Sequence, residues 1–175
     1  MSLTPPRPPR DESGRLAELK RLAIMDTSEE QAFDDLTRMA ASLCGTPIAL
    51  ITLVDDKRQW FKSRLGLQAT ETPREFAFCE HAIHAAEPVM MVRDATQDER
   101  FAANPLVTGD PSIRFYAGAP LVSSGGQRLG TICVIDRVPR ELDARQLETL
   151  QFLADQVMRK LEERRQALAA GGPAP

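Results

Sequence analysis

Ile48 to Val54 reads IALITLV, a seven-residue apolar run rich in β-branched side chains. Such a run is too short for a helix and predicts a strand buried on both faces. A turn at Asp55 to Arg58 leads to Gln59 to Arg64 (QWFKSR), read as the other arm of a hairpin. Phe115 to Val122 (FYAGAPLV) and Leu129 to Ile135 (LGTICVI) form a second pair of strands around Ser124-Gly125-Gly126, where glycine supplies the positive φ that a tight turn needs. Pro120 has no N–H to give a ladder, so its strand is bulged there or has an unpaired side. Val89 to Val92 adds a shorter, fifth strand.

Helical periodicity brackets the strands. Leu16, Leu19, Leu22 and Ala23 form one stripe. A second helix starts at a capping box, Thr27 with Glu30 or Ser28 with Gln31, carries Ala32, Phe33, Leu36, Met39, Ala40 and Leu43 on its apolar face, and stops at Gly45 and Pro47. In the last helix Asp143 is the cap with Gln146 at the third position, and Leu147, Leu150, Ala154, Val157, Leu161, Arg164 and Leu168 alternate spacings of three and four. From Asp143 to about Ala169 it would run ~40 Å, longer than one face of a domain this size. Leu147, Leu150, Ala154, Val157 and Leu161 are therefore expected at a homodimer interface. Between these elements Arg93 to Arg114 has no clear period beyond one helical turn around Asp98 to Phe101. So long an irregular stretch in a compact domain binds something or moves; with Thr72 to Ala86 it is expected to wall over one face of the sheet.

The expected organisation is a tail over 1–14, a core over 15–140, the long helix over 141–168 and a second tail over 169–175. The first tail holds four of the thirteen prolines, with Pro5 to Pro9 read as plain flexible chain and not as a proline-helix ligand. A content of 42% apolar and 27% charged residues fits one soluble domain, and no run approaches the ~18 apolar residues of a membrane span. The Pro- and Arg-rich N-terminus lacks the apolar centre of a signal peptide, so a cytoplasmic location is expected and a membrane is not. Twenty-two basic residues are scattered among 25 acidic ones, which argues against nucleic acid as a partner. Cys44, Cys79 and Cys133 suit neither a disulfide framework nor a zinc pattern and read as reduced, buried thiols.

Four strings carry a family resemblance: RQWFKSRLGL (Arg58 to Leu67), TPREFAFCEHAI (Thr72 to Ile83), ANPLVTGDPSIRFYAGAPL (Ala103 to Leu121) and RLGTICVIDRVPR (Arg128 to Arg140). They resemble GAF domains, in particular the branch placed ahead of bacterial histidine kinases and diguanylate cyclases, over about Leu19 to Leu161. The resemblance implies an α+β, PAS-like fold: a central antiparallel sheet of order about 2-1-5-4-3, terminal helices on one face and a ligand cavity under loops on the other. It also implies a sensory or regulatory role, with dimerisation through the terminal helices. The Asn-Lys-Phe-Asp-Glu motif of the cyclic-nucleotide branch and the cysteine motif of the methionine-sulfoxide-reductase branch are missing. Cys79 is followed by Glu80 and not by the histidine that accompanies bilin attachment in the phytochrome branch.

Within that frame the expected ligand-binding residues are Trp60, Phe78, Cys79, His81, Asp94, Phe101, Arg114 and Tyr116. The aromatic members cluster in the strands and wall that resemble the cavity-forming half of the family, and the Tyr116 hydroxyl needs a partner if buried. Arg114 offers a fork to an anionic ligand or a salt bridge to Asp94 or Asp98. On a helix Cys79 and His81 point about 200° apart, so they do not make a thiolate and base, and with His84 they do not complete a metal site. Asp136 and Arg137 are read as setting a turn, and Gly125-Gly126 as hairpin residues with no phosphate role. No enzymatic activity and no particular cofactor are expected. The first reading is a cytoplasmic sensory module of signal transduction, of the two-component type, that binds a small ligand and relays a change through its terminal helices. Catalytic output would belong to a partner histidine kinase or diguanylate cyclase. The second reading is a ligand-free dimerisation or adaptor domain whose own side chains fill its cavity.

Overall fold

In the computed structural model, which describes residues 11–171, the IALITLV run forms β1 (Ile48–Val54), and all seven residues are buried. Its neighbours explain why. β1 pairs antiparallel with β2 (Arg58–Leu65) on one side and β6 (Arg128–Asp136) on the other. β5 (Phe115–Val122) and β4 (Met90–Val92) continue past β6, and β3 (Glu71–Pro73) edges β2, giving the order β3-β2-β1-β6-β5-β4. Without β3, the five expected strands run in the expected order; the correction is this sixth strand, which pairs only through Glu71, Thr72 and Pro73. Pro120 pairs with Thr131 beyond the end of β4, so its strand does have an unpaired side there, and the bulge falls next door at Leu121 and Val122. The β5–β6 turn places Gly126 at φ 81°, as a tight turn demands.

Strand alternation divides the core into two layers. Ala49, Ile51 and Leu53 of β1, with Phe115, Ala117 and Ala119 of β5, face the helices α1 (Glu12–Arg21), α2 (Gln31–Cys44) and α5 (Ala144–Ala169). Ile48, Leu50 and Val54, with Tyr116, Cys133 and Ile135, face the opposite wall. That wall contains a 3-10 turn (Arg74–Phe76), α3 (Phe78–Ala82), a second 3-10 turn (Ala95–Gln97) and α4 (Pro105–Thr108). The expected turn at Asp98 to Phe101 is closed by the Phe101 N–H on the Asp98 carbonyl, 3.0 Å. Among the described residues, no helix is long and apolar enough to cross a membrane.

Several expectations need correction. Helix α1 starts inside the stretch read as tail, with the Asp11 carboxylate accepting from Gly14 N at 2.9 Å. Residues 1–10, with Pro5 to Pro9, and 172–175 lie outside the described residues. Helix α2 has no side-chain cap: Glu30 stands at its N-cap, but its carboxylate is drawn to Lys62 Nζ (2.5 Å) and Arg164 Nε (2.9 Å). Met39 and Leu43 are exposed; the buried face of α2 is Phe33, Thr37, Ala40, Ala41 and Cys44. The α5 capping box forms as read, from Asp143 and Gln146. However, the stripe expected at a dimer interface is taken up by the chain's own core. Leu150, Ala154, Val157 and Leu161 are buried against the sheet and α2, with Leu147 partly buried on the same cluster. Arg164 is buried beside them through Glu30 and the Ala23 carbonyl.

Candidate functional site

Between the sheet and the wall lies a cavity of about 240 Å³. Its floor is Leu50 of β1, Phe61 of β2, Tyr116 of β5, and Cys133 and Ile135 of β6; Phe78 and Cys79 at the start of α3, with Leu106 and Ile113, close it from above. Gln68, Asp110 and Arg137 lie towards solvent at its rim, beside the buried Pro111. The surface is therefore apolar with few polar atoms, the usual character of a small-molecule pocket.

Where the wall meets the sheet the polar atoms satisfy one another. Cys79 Sγ lies 3.1 Å from Tyr116 Oη and 3.0 Å from Thr131 Oγ1, and Thr131 Oγ1 lies 3.1 Å from Thr52 Oγ1. Burial opposes ionisation of the Cys79 thiol, but hydrogen bonds from Cys133, Thr131, Thr52 and Tyr116 outweigh it and bring the thiol down to about 7. For Tyr116 and Cys133 burial dominates and, with Cys79 beside them, pushes both well up. All three cysteines are free and buried, as read from their spacing.

Of the expected ligand-binding residues, Phe78, Cys79 and Tyr116 line the cavity. Phe101 stacks on Phe78 with centroids 4.0 Å apart, and His81 meets Phe101 edge-on at 4.8 Å, so these two form a second row behind Phe78. Burial, aided by Arg100, holds the His81 imidazole down to about 4. Trp60 is a correction, since it points into the helix-side layer while its neighbours Gln59 and Phe61 face the cavity. Asp94 lies away from the cavity and caps a 3-10 turn by accepting from Thr96 N and Oγ1. Arg114 does not line the cavity and does not pair with Asp94 or Asp98: it donates to the Val107 and Ile113 carbonyls, and Asp98 pairs with Arg100 at 2.7 Å. Arg137, read as a turn residue only, reaches the rim and donates from Nε to the Pro111 carbonyl at 3.1 Å.

Sequence reasoning also missed Gln59. Its Nε2 donates to Thr72 Oγ1 at 3.0 Å, while its buried Oε1 has no partner. The cue lay in Thr52 and Thr131, polar residues in otherwise apolar strands that mark the cavity face; Thr52 stands opposite Phe61, which assigns Phe61 and Gln59 to that face.

Comparison with known proteins agrees with this architecture. The family model described as GAF domain matches residues 28–161. A cyclic di-GMP phosphodiesterase of Pseudomonas aeruginosa is 44% identical over 159 residues; the match takes in 90% of this chain but 27% of the relative, so the chain spans about a quarter of that protein's length. Among solved structures, the GAF domain of an Acinetobacter phosphoenolpyruvate-protein phosphotransferase superposes with a TM-score of 0.62 at 18% identity, covering 90% of this chain and 97% of that one. A type II free methionine-R-sulfoxide reductase from Thermoplasma acidophilum superposes with a TM-score of 0.61 at 12% identity, covering 76% and 92%.

Proposed function

The chain belongs to the GAF domain family, and on that footing we propose that it is the cytoplasmic sensory module of a signalling protein, binding a small molecule between Tyr116 and the wall. The observation that carries this reading is the cavity of about 240 Å³, open at one rim and apolar inside. The same cavity disfavours an adaptor whose interior is filled by its own side chains. The likeness to part of a cyclic di-GMP phosphodiesterase supports a place in such a signalling protein, next to a separate output unit such as a kinase, cyclase or phosphodiesterase.

The sheet supplies a route for the signal. Tyr116 faces the cavity, while its neighbours Phe115 and Ala117 lie in the core layer with α5. A ligand that shifts β5 therefore perturbs the packing of α5, and the two-state bias passes to whatever α5 contacts. A regulatory role fits the site better than catalysis. Both imidazoles of the chain are held elsewhere, His81 against Phe101 and His84 on Glu80, and neither touches the Cys79 thiol.

The test is a thermal-shift panel of nucleotides, tetrapyrroles, oxo acids and small aromatic compounds, with native mass spectrometry of the purified chain. A ligand at 100 times its dissociation constant adds about 2.7 kcal/mol of stability. A flat panel together with an empty native spectrum contradicts the proposal.

A further inference from the structure

Helix α1 is held at both ends by charge. Of its ten residues only Arg15 and Leu19 are buried. Arg15 is 1% exposed; it donates from Nη1 to the Val54 carbonyl at 2.7 Å and grips Glu12 through Nε and Nη2, both at 2.9 Å. Glu12 is shared, because its Oε1 also accepts from Arg74 Nη1 at 2.6 Å. Arg74 rests on the Asp55 carbonyl at 3.1 Å and holds Glu80 with its other two nitrogens, at 2.8 and 3.1 Å. Glu80 belongs to α3, next to the Phe78 and Cys79 that close the cavity, and His84 lies 3.1 Å from its carboxylate. An unbroken run of hydrogen-bonded charges therefore joins the cavity wall to the first turn of α1. At the other end of α1, Arg21 binds Glu18 and reaches Glu162 of α5, each at 2.6 Å.

We propose that α1 is a strut between the cavity wall and the C-terminal part of α5, and that Arg74 couples the position of α3 to the docking of α1. Glu12 cannot follow Arg74 without loosening its grip on Arg15, a buried cation that is costly to leave without its carboxylate. Displacement of α3 therefore weakens the seat of the first turn of α1, and Arg21 carries the change to Glu162. This path is separate from β5. It does not depend on what the cavity holds, so it goes beyond the ligand-site reading.

The experiment perturbs the wall without a ligand. Phe101→Leu removes the ring on which Phe78 and His81 of α3 both pack, and leaves every member of the charged run in place. Hydrogen exchange read by mass spectrometry on the full chain follows the amides of α1 and of α5 beyond Glu162, with β1 as the measure of global opening. Relative to β1, Phe101→Leu should raise exchange in both helices at least roughly fivefold. In an Arg74→Met background α1 exchange is already raised, and adding Phe101→Leu should change it by less than about twofold. Glu80→Gln, which cuts the run at the wall, serves in place of Arg74→Met should that variant fail to fold. Arg21→Met should preserve the α1 response and abolish the one in α5. Unchanged α1 exchange in Phe101→Leu, or an equal rise with and without Arg74, overturns the proposal; the second result is what a merely structural Arg74 gives. An α5 response that survives Arg21→Met overturns it as well. Each of these results is independent of the thermal-shift panel, which tests the ligand site on its own.

Discussion

Tyr116 Oη reaches Cys79 Sγ at 3.1 Å by passing directly over Gly118, where an added Cβ would lie 2.2 Å from that oxygen and 2.7 Å from Cζ. Glycine is required there because two residues along the same strand face share one space. Gly118→Ala should force the buried ring aside and destabilise the fold by about 1–3 kcal/mol. Urea denaturation checks it; an unchanged midpoint would show that the ring yields freely.

The Cys79 thiol, down to about 7, is set apart from Cys44, which burial pushes up to about 11. The thiolate is the reactive form, so Cys79 should be alkylated by a small uncharged reagent well before Cys44 at pH 7–8. Tyr116→Phe removes one of the hydrogen bonds that favour the thiolate and should move the rate profile of Cys79 to higher pH. Peptide mass mapping over a pH series reads both effects. Preferential labelling of Cys44 would contradict this picture.

Glu30 joins three elements: its carboxylate holds Lys62 of β2, whose side chain is wholly buried, and Arg164 of α5. Glu30→Gln leaves two buried cations without their counter-charge. It should cost about 3–5 kcal/mol, the range for breaking a buried pair from one side. Arg164→Met should cost less, since Lys62 keeps its partner. Equal losses for the two variants would place the energy in packing and not in charge.

The cluster around Glu30 also shows what could be read from the chain and what could not. The strands are legible because IALITLV and LGTICVI are apolar apart from Thr52 and Thr131. The face of Trp60 on β2 depends instead on its register against β1, where Leu53 stands opposite Trp60 and Thr52 opposite Phe61, and that pairing is tertiary. Arg164 looked like a weak point in a pairing stripe, because the carboxylate that accommodates it lies 134 positions earlier in sequence. Helix α1 was cut short for a related reason: its buried Arg15 donates to the Val54 carbonyl at 2.7 Å, a tertiary contact with no local signature. Only Phe78, Cys79 and Tyr116 of the expected site line the cavity, since the irregular wall has no period from which to place Asp94, Phe101 or Arg114.

Acid should unfold the chain in two windows. Burial and Arg100 depress His81 to about 4 from 6.5, so between these values the unfolded chain binds more protons than the folded one. Stability is complete above pH 6.5 and falls as the pH drops towards 4. Glu12 follows at lower pH: burial works against it, but hydrogen bonds from Arg15 and Arg74 prevail and take it from 4.5 down to about 2. Its contribution is present above pH 4.5 and is lost as the pH falls towards 2. After solvent screening each window is on the order of 1–2 kcal/mol. In denaturation series from pH 8 to 2, His81→Leu should flatten the upper window, while Glu12→Gln should reduce the lower one, which Glu18, Asp26, Glu80 and Asp98 share because their partners also hold them down; an unchanged upper window in His81→Leu would refute the assignment.

Leu150, Val157 and Leu161 test where the long helix uses its apolar stripe. All three are at most 1% exposed within a single chain, packed into the helix-side core with Phe33, Ala117 and Ile132. Large-to-small changes there create cavities, so Leu150→Ala and Leu161→Ala should each lower stability by about 2–5 kcal/mol, whatever the oligomeric state. A stripe that served only to pair two copies would behave differently: the variants would lose mass in light scattering, and their stability would depend on protein concentration. Phe152, on the outward side of α5 and 60% exposed, is the control. Phe152→Ser should leave the single-chain fold within about 0.5 kcal/mol of wild type, as expected for a surface site. Urea midpoints measured at two protein concentrations, alongside light scattering, separate the cases; a Leu150→Ala chain as stable as wild type but of lower mass would return the stripe to the dimer interface.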